Sequence, residues 1–286
     1  MIHVPWRRHN GGDIRMVESL SLALDRRATA RYRLAWRLAG GNSMTAKDRL
    51  IFPLDVPDVG EAARLVALLS DHVGVFKIGL ELFVAAGPSV VERIGGVTSA
   101  GIFLDLKLHD IPETVRRAVR ALPCPDRVTF LTVHCDPGLL AAVMAEVSPP
   151  TKILAVTVLT SLDSTQLLAL GIGPELAAEP VKLVLRRAGL AAAAGCHGVV
   201  CSGREVGAVL RQFGDKLLTV VPGIRPDRGG GGPDDQQRVT TPYDAVREGA
   251  DYIVVGRPIR DAADPREAAA RIAGEIERGL NERQAG

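Results

Sequence analysis

From Met44 onward the chain alternates without interruption between short apolar runs rich in β-branched residues and longer stretches of helical periodicity. This is the pattern of βαβ units and a parallel sheet. Eight runs are predicted as strands: residues 51–55, 75–80, 102–108, 128–134, 153–159, 198–202, 217–222 and 252–256. Helices are predicted over 59–69, 88–94, 112–122, 139–147, 175–194, 205–213, 243–249 and 265–279. A helix after every one of eight strands favours a single closed (β/α)8 barrel, an α/β fold, over an open doubly wound sheet. Residues 44–286 number 243, close to the ~250 typical of such a barrel. Hydrophobic residues make up 47% of the chain but aromatic ones only 4%, so the core is built of Val, Leu, Ile and Ala, as strands buried on both faces require.

The first 43 residues read differently. They hold eight Arg and three acids, both tryptophans (Trp6 and Trp36), and a Gly40-Gly41-Asn42-Ser43 break before Met44. Residues 16–38 have the makings of a basic amphipathic helix, which would suit targeting or a membrane surface. The plainer reading, an upstream extension outside the fold, is preferred, with residues 44–286 as the barrel domain. Over the whole chain 35 basic residues face 33 acidic ones, a net charge of +2, so charge gives no argument for nucleic acid. Cys124, Cys135, Cys196 and Cys201 form no CxxC pair and no zinc spacing, and are expected to be reduced thiols in or near the core of a cytoplasmic protein. No apolar span near 20 residues and no signal peptide is expected.

In a (β/α)8 barrel the chemistry lies at the C-terminal ends of the strands. The third run ends Asp105-Leu106-Lys107-Leu108-His109-Asp110. Side chains alternate along a strand, so Asp105 and Lys107 share one side and the leucines the other. If the leucines face the helices, an acid and a base point into the barrel mouth, where charge is costly unless paired. The second run brings Lys77 and the first Asp55 to the same region. A buried ion-pair network that only holds the barrel together is one explanation. Convergence of four such groups at the catalytic end favours a functional site.

The segment Asp105-Leu106-Lys107-Leu108-His109-Asp110-Ile111-Pro112-Glu113-Thr114-Val115 resembles the DxKxxD signature of orotidine 5′-monophosphate decarboxylases of the bacterial type. Leu54-Asp55, Lys77-Ile78-Gly79, Val158-Leu159-Thr160-Ser161, Pro222-Gly223-Ile224-Arg225-Pro226, Asp235-Gln236 and Val255-Gly256-Arg257-Pro258-Ile259 match the family in order. The resemblance implies a TIM barrel of the ribulose-phosphate-binding kind and conversion of orotidine 5′-monophosphate to UMP and CO2, the last step of de novo pyrimidine synthesis. It implies no cofactor. Lys107 would stabilise and protonate a C6 carbanion, with Asp105 beside the leaving carboxylate and Lys77 orienting Asp105. Asp110 would reach the active site of a partner in a homodimer. Asp55 would hold a ribose hydroxyl, Thr160 and Ser161 the pyrimidine edge, and Gly256 and Arg257 the phosphate. Gln236, in a glycine-rich lid over residues 224–238, would bridge base and phosphate.

The signature is shared with magnesium-dependent sugar-phosphate decarboxylases and synthases, which place a metal-binding Glu at the end of strand two. Here that position is Lys77, and two lysines interleaved with the acids would repel a divalent cation. A non-catalytic nucleotide-binding barrel is a further alternative, and the intact Lys–Asp–Lys–Asp set argues against it. Seen alone, Thr160 and Ser161 read as a helix cap before Asp163, and Arg257 as a surface ion pair. His109 and His134 are read as structural. After His134 the family often shows Ala-Gly-Gly, whereas Cys135-Asp136-Pro137-Gly138 follows here.

Overall fold

The computed structural model describes residues 44–226 and 240–285. The expected extension over residues 1–43, most of the expected lid and Gln236 lie outside the described residues. Eight parallel strands close on themselves in chain order: β1 (Leu50–Pro53), β2 (Val75–Ile78), β3 (Gly101–Leu108), β4 (Val128–His134), β5 (Lys152–Val156), β6 (Gly198–Val200), β7 (Leu218–Val221) and β8 (Tyr252–Val254). β1 pairs with both β2 and β8, so the sheet has no edge among these strands. The barrel expected from the alternation is the one observed.

The helices are α1 (Val59–Leu69), α2 (Leu80–Ala86), α3 (Ser89–Gly95), α4 (Pro112–Arg120), α5 (Pro137–Met144), α6 (Ser164–Ala169), α7 (Pro174–Ala178), α8 (Pro180–Ala193), α9 (Val206–Phe213), α10 (Pro242–Arg247), α11 (Arg257–Arg260) and α12 (Pro265–Ala285). Where the expectations differ, the cause is local. The helix predicted over 175–194 is two, because Pro180 cannot donate an amide hydrogen and starts a new helix. Leu80, expected at the end of a strand, opens α2. The run 153–159 is hydrogen-bonded strand only to Val156. Val158 and Leu159 leave the sheet to line a cavity, and an apolar cavity wall looks like an apolar strand in sequence.

Alternation along the strands sorts side chains into two layers. Leu50, Phe52, Leu54, Phe76, Ile78, Leu104, Leu131 and Val133 join the large core between strands and helices. Ile51, Val75, Phe103, Phe130, Leu154, Val220, Tyr252 and Val254 fill the barrel interior. Phe130 is the hub of that interior, edge-to-face with Phe103 at 5.8 Å and with Tyr252 at 5.0 Å. This apolar plug is the floor on which the charged residues sit. The four cysteines are unpaired; Cys196 and Cys201 are buried in the outer core and the other two pack against it. None of the described helices is long and apolar enough to cross a membrane.

Candidate active site

Leu106 and Leu108 pack against the outer core, which turns Asp105 and Lys107 to the barrel mouth as the alternation required. Phe103, two residues before Asp105, belongs to the interior plug. Lys77 is in register with Phe103 on the neighbouring strand and with Pro53 on β1, two residues before Asp55. Lys107 Nζ donates to Asp105 Oδ1 at 2.9 Å. Lys77 Nζ lies 3.5 Å from Asp105 Oδ2 and donates to Asp55 Oδ1 at 3.3 Å. One acid is thus clasped between two ammonium groups, and one of these is shared with a second acid.

The Asp105 and Lys77 side chains are only 14% and 12% exposed, and the Asp55 side chain is 52% exposed. Burial pushes the Asp105 carboxyl toward its neutral form. The charges of Lys77 and Lys107, with hydrogen bonds from Lys107 and Thr132, outweigh this and hold it below the ordinary carboxylate range. Asp105 is therefore ionised at neutral pH although it is nearly enclosed. Gly79 lies close under this pair: a Cβ there would stand 3.2 Å from Lys77 Nζ and 3.3 Å from Asp55 Oδ1.

The backbone departs from a regular strand at this point. Between two aligned pairs, β3 advances from Leu104 to Leu108 while β4 advances only from Leu131 to Val133. The excess is absorbed in a bulge, and Lys107 takes φ +48°. For a non-glycine residue the left-handed region costs about 1–3 kcal/mol unless the surroundings impose it. Here the freed Lys107 N–H donates to Thr132 Oγ1 at 2.9 Å.

These residues line a cavity of about 310 Å³. Its lining includes the acid–base set Asp55, Lys77, Asp105 and Lys107, the apolar Val156, Val158, Leu159, Val200 and Val220, and Gly256, Arg225, Arg257 and Arg260. Gly256 is needed where it stands, because a Cβ would approach Pro53 Cγ to 2.9 Å. Arg260 donates to the Asp55 carbonyl oxygen at 3.0 Å. Among the described residues no group of three or more His, Cys, Asp or Glu has a metal-binding arrangement.

The model of the orotidine 5′-phosphate decarboxylase / HUMPS family matches residues 48–272. The chain belongs to this family. It is 49% identical over 243 residues to orotidine 5′-phosphate decarboxylase of Desulfosudis oleivorans, covering 83% of this chain and 96% of that one. Identity to the protein of the same name from Methylococcus capsulatus is 48% over 229 residues, 80% of this chain and 92% of the relative. The crystal structure of orotidine 5′-phosphate decarboxylase from Lactobacillus acidophilus aligns with a TM-score of 0.66 at 34% identity, over 79% of this chain and 98% of that one.

Of the residues the family signature singled out, Asp55, Lys77, Asp105, Lys107, Thr160, Gly256 and Arg257 line one cavity. Ser161 is exposed and not part of its lining. The cap of α6 is Asp163, whose side chain accepts from Gln166 N, so Thr160 and Ser161 are not its cap. Asp110 stands apart. It is exposed at the end of β3, its Oδ1 accepts from Ile111 N, and Ile111 is 67% exposed. His109 and His134 stack with ring centroids 4.7 Å apart. Burial, with the charges of His109, Arg187 and Lys107, lowers the His134 pKa. Sequence reasoning missed Thr132, Arg225 and Arg260. The signal for Thr132 was a polar residue two positions after the inward Phe130, on the same face of β4. Arg225 lay inside a quoted family segment without a role.

Proposed function

We propose that this chain decarboxylates orotidine 5′-monophosphate to UMP and CO2, closing de novo pyrimidine nucleotide synthesis, and needs no metal or cofactor to do so. The observation that carries the proposal is the clasp of Asp105 between Lys77 and Lys107 in a cavity that Arg225, Arg257 and Arg260 also line. The substrate spans the cavity, with its phosphate toward Arg257 and Arg225, whose planar forks suit a dianion. Its ribose lies near Asp55 and Lys77 and its pyrimidine near Thr160; Ser161, exposed outside the lining, is given no contact. Gln236 bridges base and phosphate, as the resemblance of Asp235-Gln236 to the family implies.

In the reaction the bond from C6 to the carboxylate breaks, CO2 departs, and the electron pair stays on C6. The Lys107 ammonium sits where that pair develops, stabilises it and transfers a proton to C6, leaving a neutral amine that water reprotonates. Asp105 fixes the ammonium and lies beside the departing carboxylate, while Lys77 keeps Asp105 ionised and oriented. A divalent cation would need several oxygen ligands, and here the two inward acids already carry ammonium partners. The protein is a homodimer in which Asp110 completes the partner's site. That assignment accounts for an acid of the signature standing exposed beside an exposed isoleucine rather than in its own cavity.

The test is to follow the loss of orotidine absorbance with the purified chain in excess EDTA. Turnover with EDTA present is expected. Binding of UMP without turnover, or activity on sugar phosphates that EDTA abolishes, would contradict the proposal.

A further inference from the structure

Thr132 is fully buried on β4 and points inward, two residues after Phe130 of the interior plug. It does not line the cavity, yet its hydroxyl is engaged twice by the candidate machinery. The oxygen accepts from the Lys107 backbone N–H at 2.9 Å. The hydroxyl donates to Asp105 Oδ1 at 3.0 Å, the same oxygen that accepts from Lys107 Nζ at 2.9 Å. A hydroxyl offers one donor and two acceptor positions, and an amide can only donate and a carboxylate only accept, so the direction of each bond is fixed. The bonds form a closed circuit, from the Lys107 amide through Thr132 to Asp105 and back to the Lys107 ammonium.

We propose that Thr132 is a positioning residue for decarboxylation, holding Lys107 by its backbone and by the carboxylate that orients its ammonium. Three features of the circuit support this. The β3 bulge takes the Lys107 amide out of the strand ladder, and a buried donor must then find another acceptor. Lys107 has φ +48°, a conformation that persists only where its surroundings impose it. The β-branched threonine has few rotamers open to it, so its hydroxyl is a fixed point from which the reach of Lys107 is set. When the ammonium gives up its proton, its hold on Asp105 weakens. The Thr132 hydroxyl still restrains that carboxylate until Lys107 is reprotonated.

The inference rests on the role of Lys107 proposed above. The test compares Thr132→Val, which keeps the shape and removes the hydroxyl, with Thr132→Ser, which keeps the hydroxyl and removes the methyl group. Loss of the hydroxyl should lower kcat at least about ten-fold relative to Thr132→Ser, as expected when a reacting group loses its fixed geometry. KM and the Kd for UMP should stay within about three-fold, because Thr132 does not face the cavity. If Thr132→Val does not fold, Thr132→Ala against Thr132→Ser makes the same comparison, since both lack the methyl group. A kcat difference below ten-fold, or a rise in KM and Kd matching the fall in kcat, would overturn the inference. Lys107→Ala is assayed alongside. If it turns over like the unmodified chain, the reading of the site itself fails; if it is inert while the valine and serine variants match, only the role of Thr132 fails.

Discussion

The two acids and two lysines of the cavity balance in charge among themselves, so its net positive charge comes from Arg225, Arg257 and Arg260. Under the proposed function the arginines take the phosphate and the Lys–Asp set takes the reacting carboxylate. Arg257→Ala should therefore weaken UMP binding about 100-fold, the scale of a lost charge-assisted bidentate contact, and should barely change the binding of uridine. Calorimetry with both ligands checks this, and equal losses would remove Arg257 from the phosphate end. His134 beside His109 needs no part in that division. Its lowered pKa follows from burial and from the neighbouring His109, Arg187 and Lys107 charges.

At the level of strands and helices, the junction from β8 to α11 sets where Arg257 stands. Gly256 passes so close to β1 that an added Cβ would meet Pro53 Cγ at 2.9 Å, and a proline ring in a packed strand yields little. Gly256→Ala should cost about 1–3 kcal/mol, the usual scale of overpacking, seen as a lower midpoint in urea unfolding, together with weaker UMP binding as Arg257 shifts. An unchanged midpoint would show that the contact relaxes freely. The strands were legible in the sequence because each is, or begins with, a short apolar run of the kind that strands buried on both faces require. Asp105 and Lys107 were legible because alternation alone decides their side. The short helices α2, α6 and α11 were not, since a single turn or two at the barrel mouth leaves no periodicity to read. Nor was the bulge at Lys107, because the acceptor of its freed amide, the Thr132 hydroxyl, is 25 residues away in sequence and adjacent only once the barrel closes.

For the whole molecule, the exposed position of Asp110 outside the cavity is what the proposed dimer explains. If each site joins Lys107 of one subunit to Asp110 of the other, Lys107→Ala and Asp110→Ala proteins should complement each other when mixed under subunit exchange. Random pairing makes about half the dimers mixed, each with one intact site, so about a quarter of all sites should recover. Should Asp110 serve its own subunit, every site would keep a defect and mixing would restore nothing. The metal-free chemistry depends on Lys107 as the group that meets the developing charge at C6, and the mixing experiment on Lys107→Ala being inactive. The decisive measurement is turnover of orotidine 5′-monophosphate by Lys107→Ala at saturating substrate, with UMP affinity measured on the same protein. We expect turnover to fall by at least about a thousand-fold while UMP still binds through Arg257. Turnover within ten-fold of the unmodified chain would contradict the account.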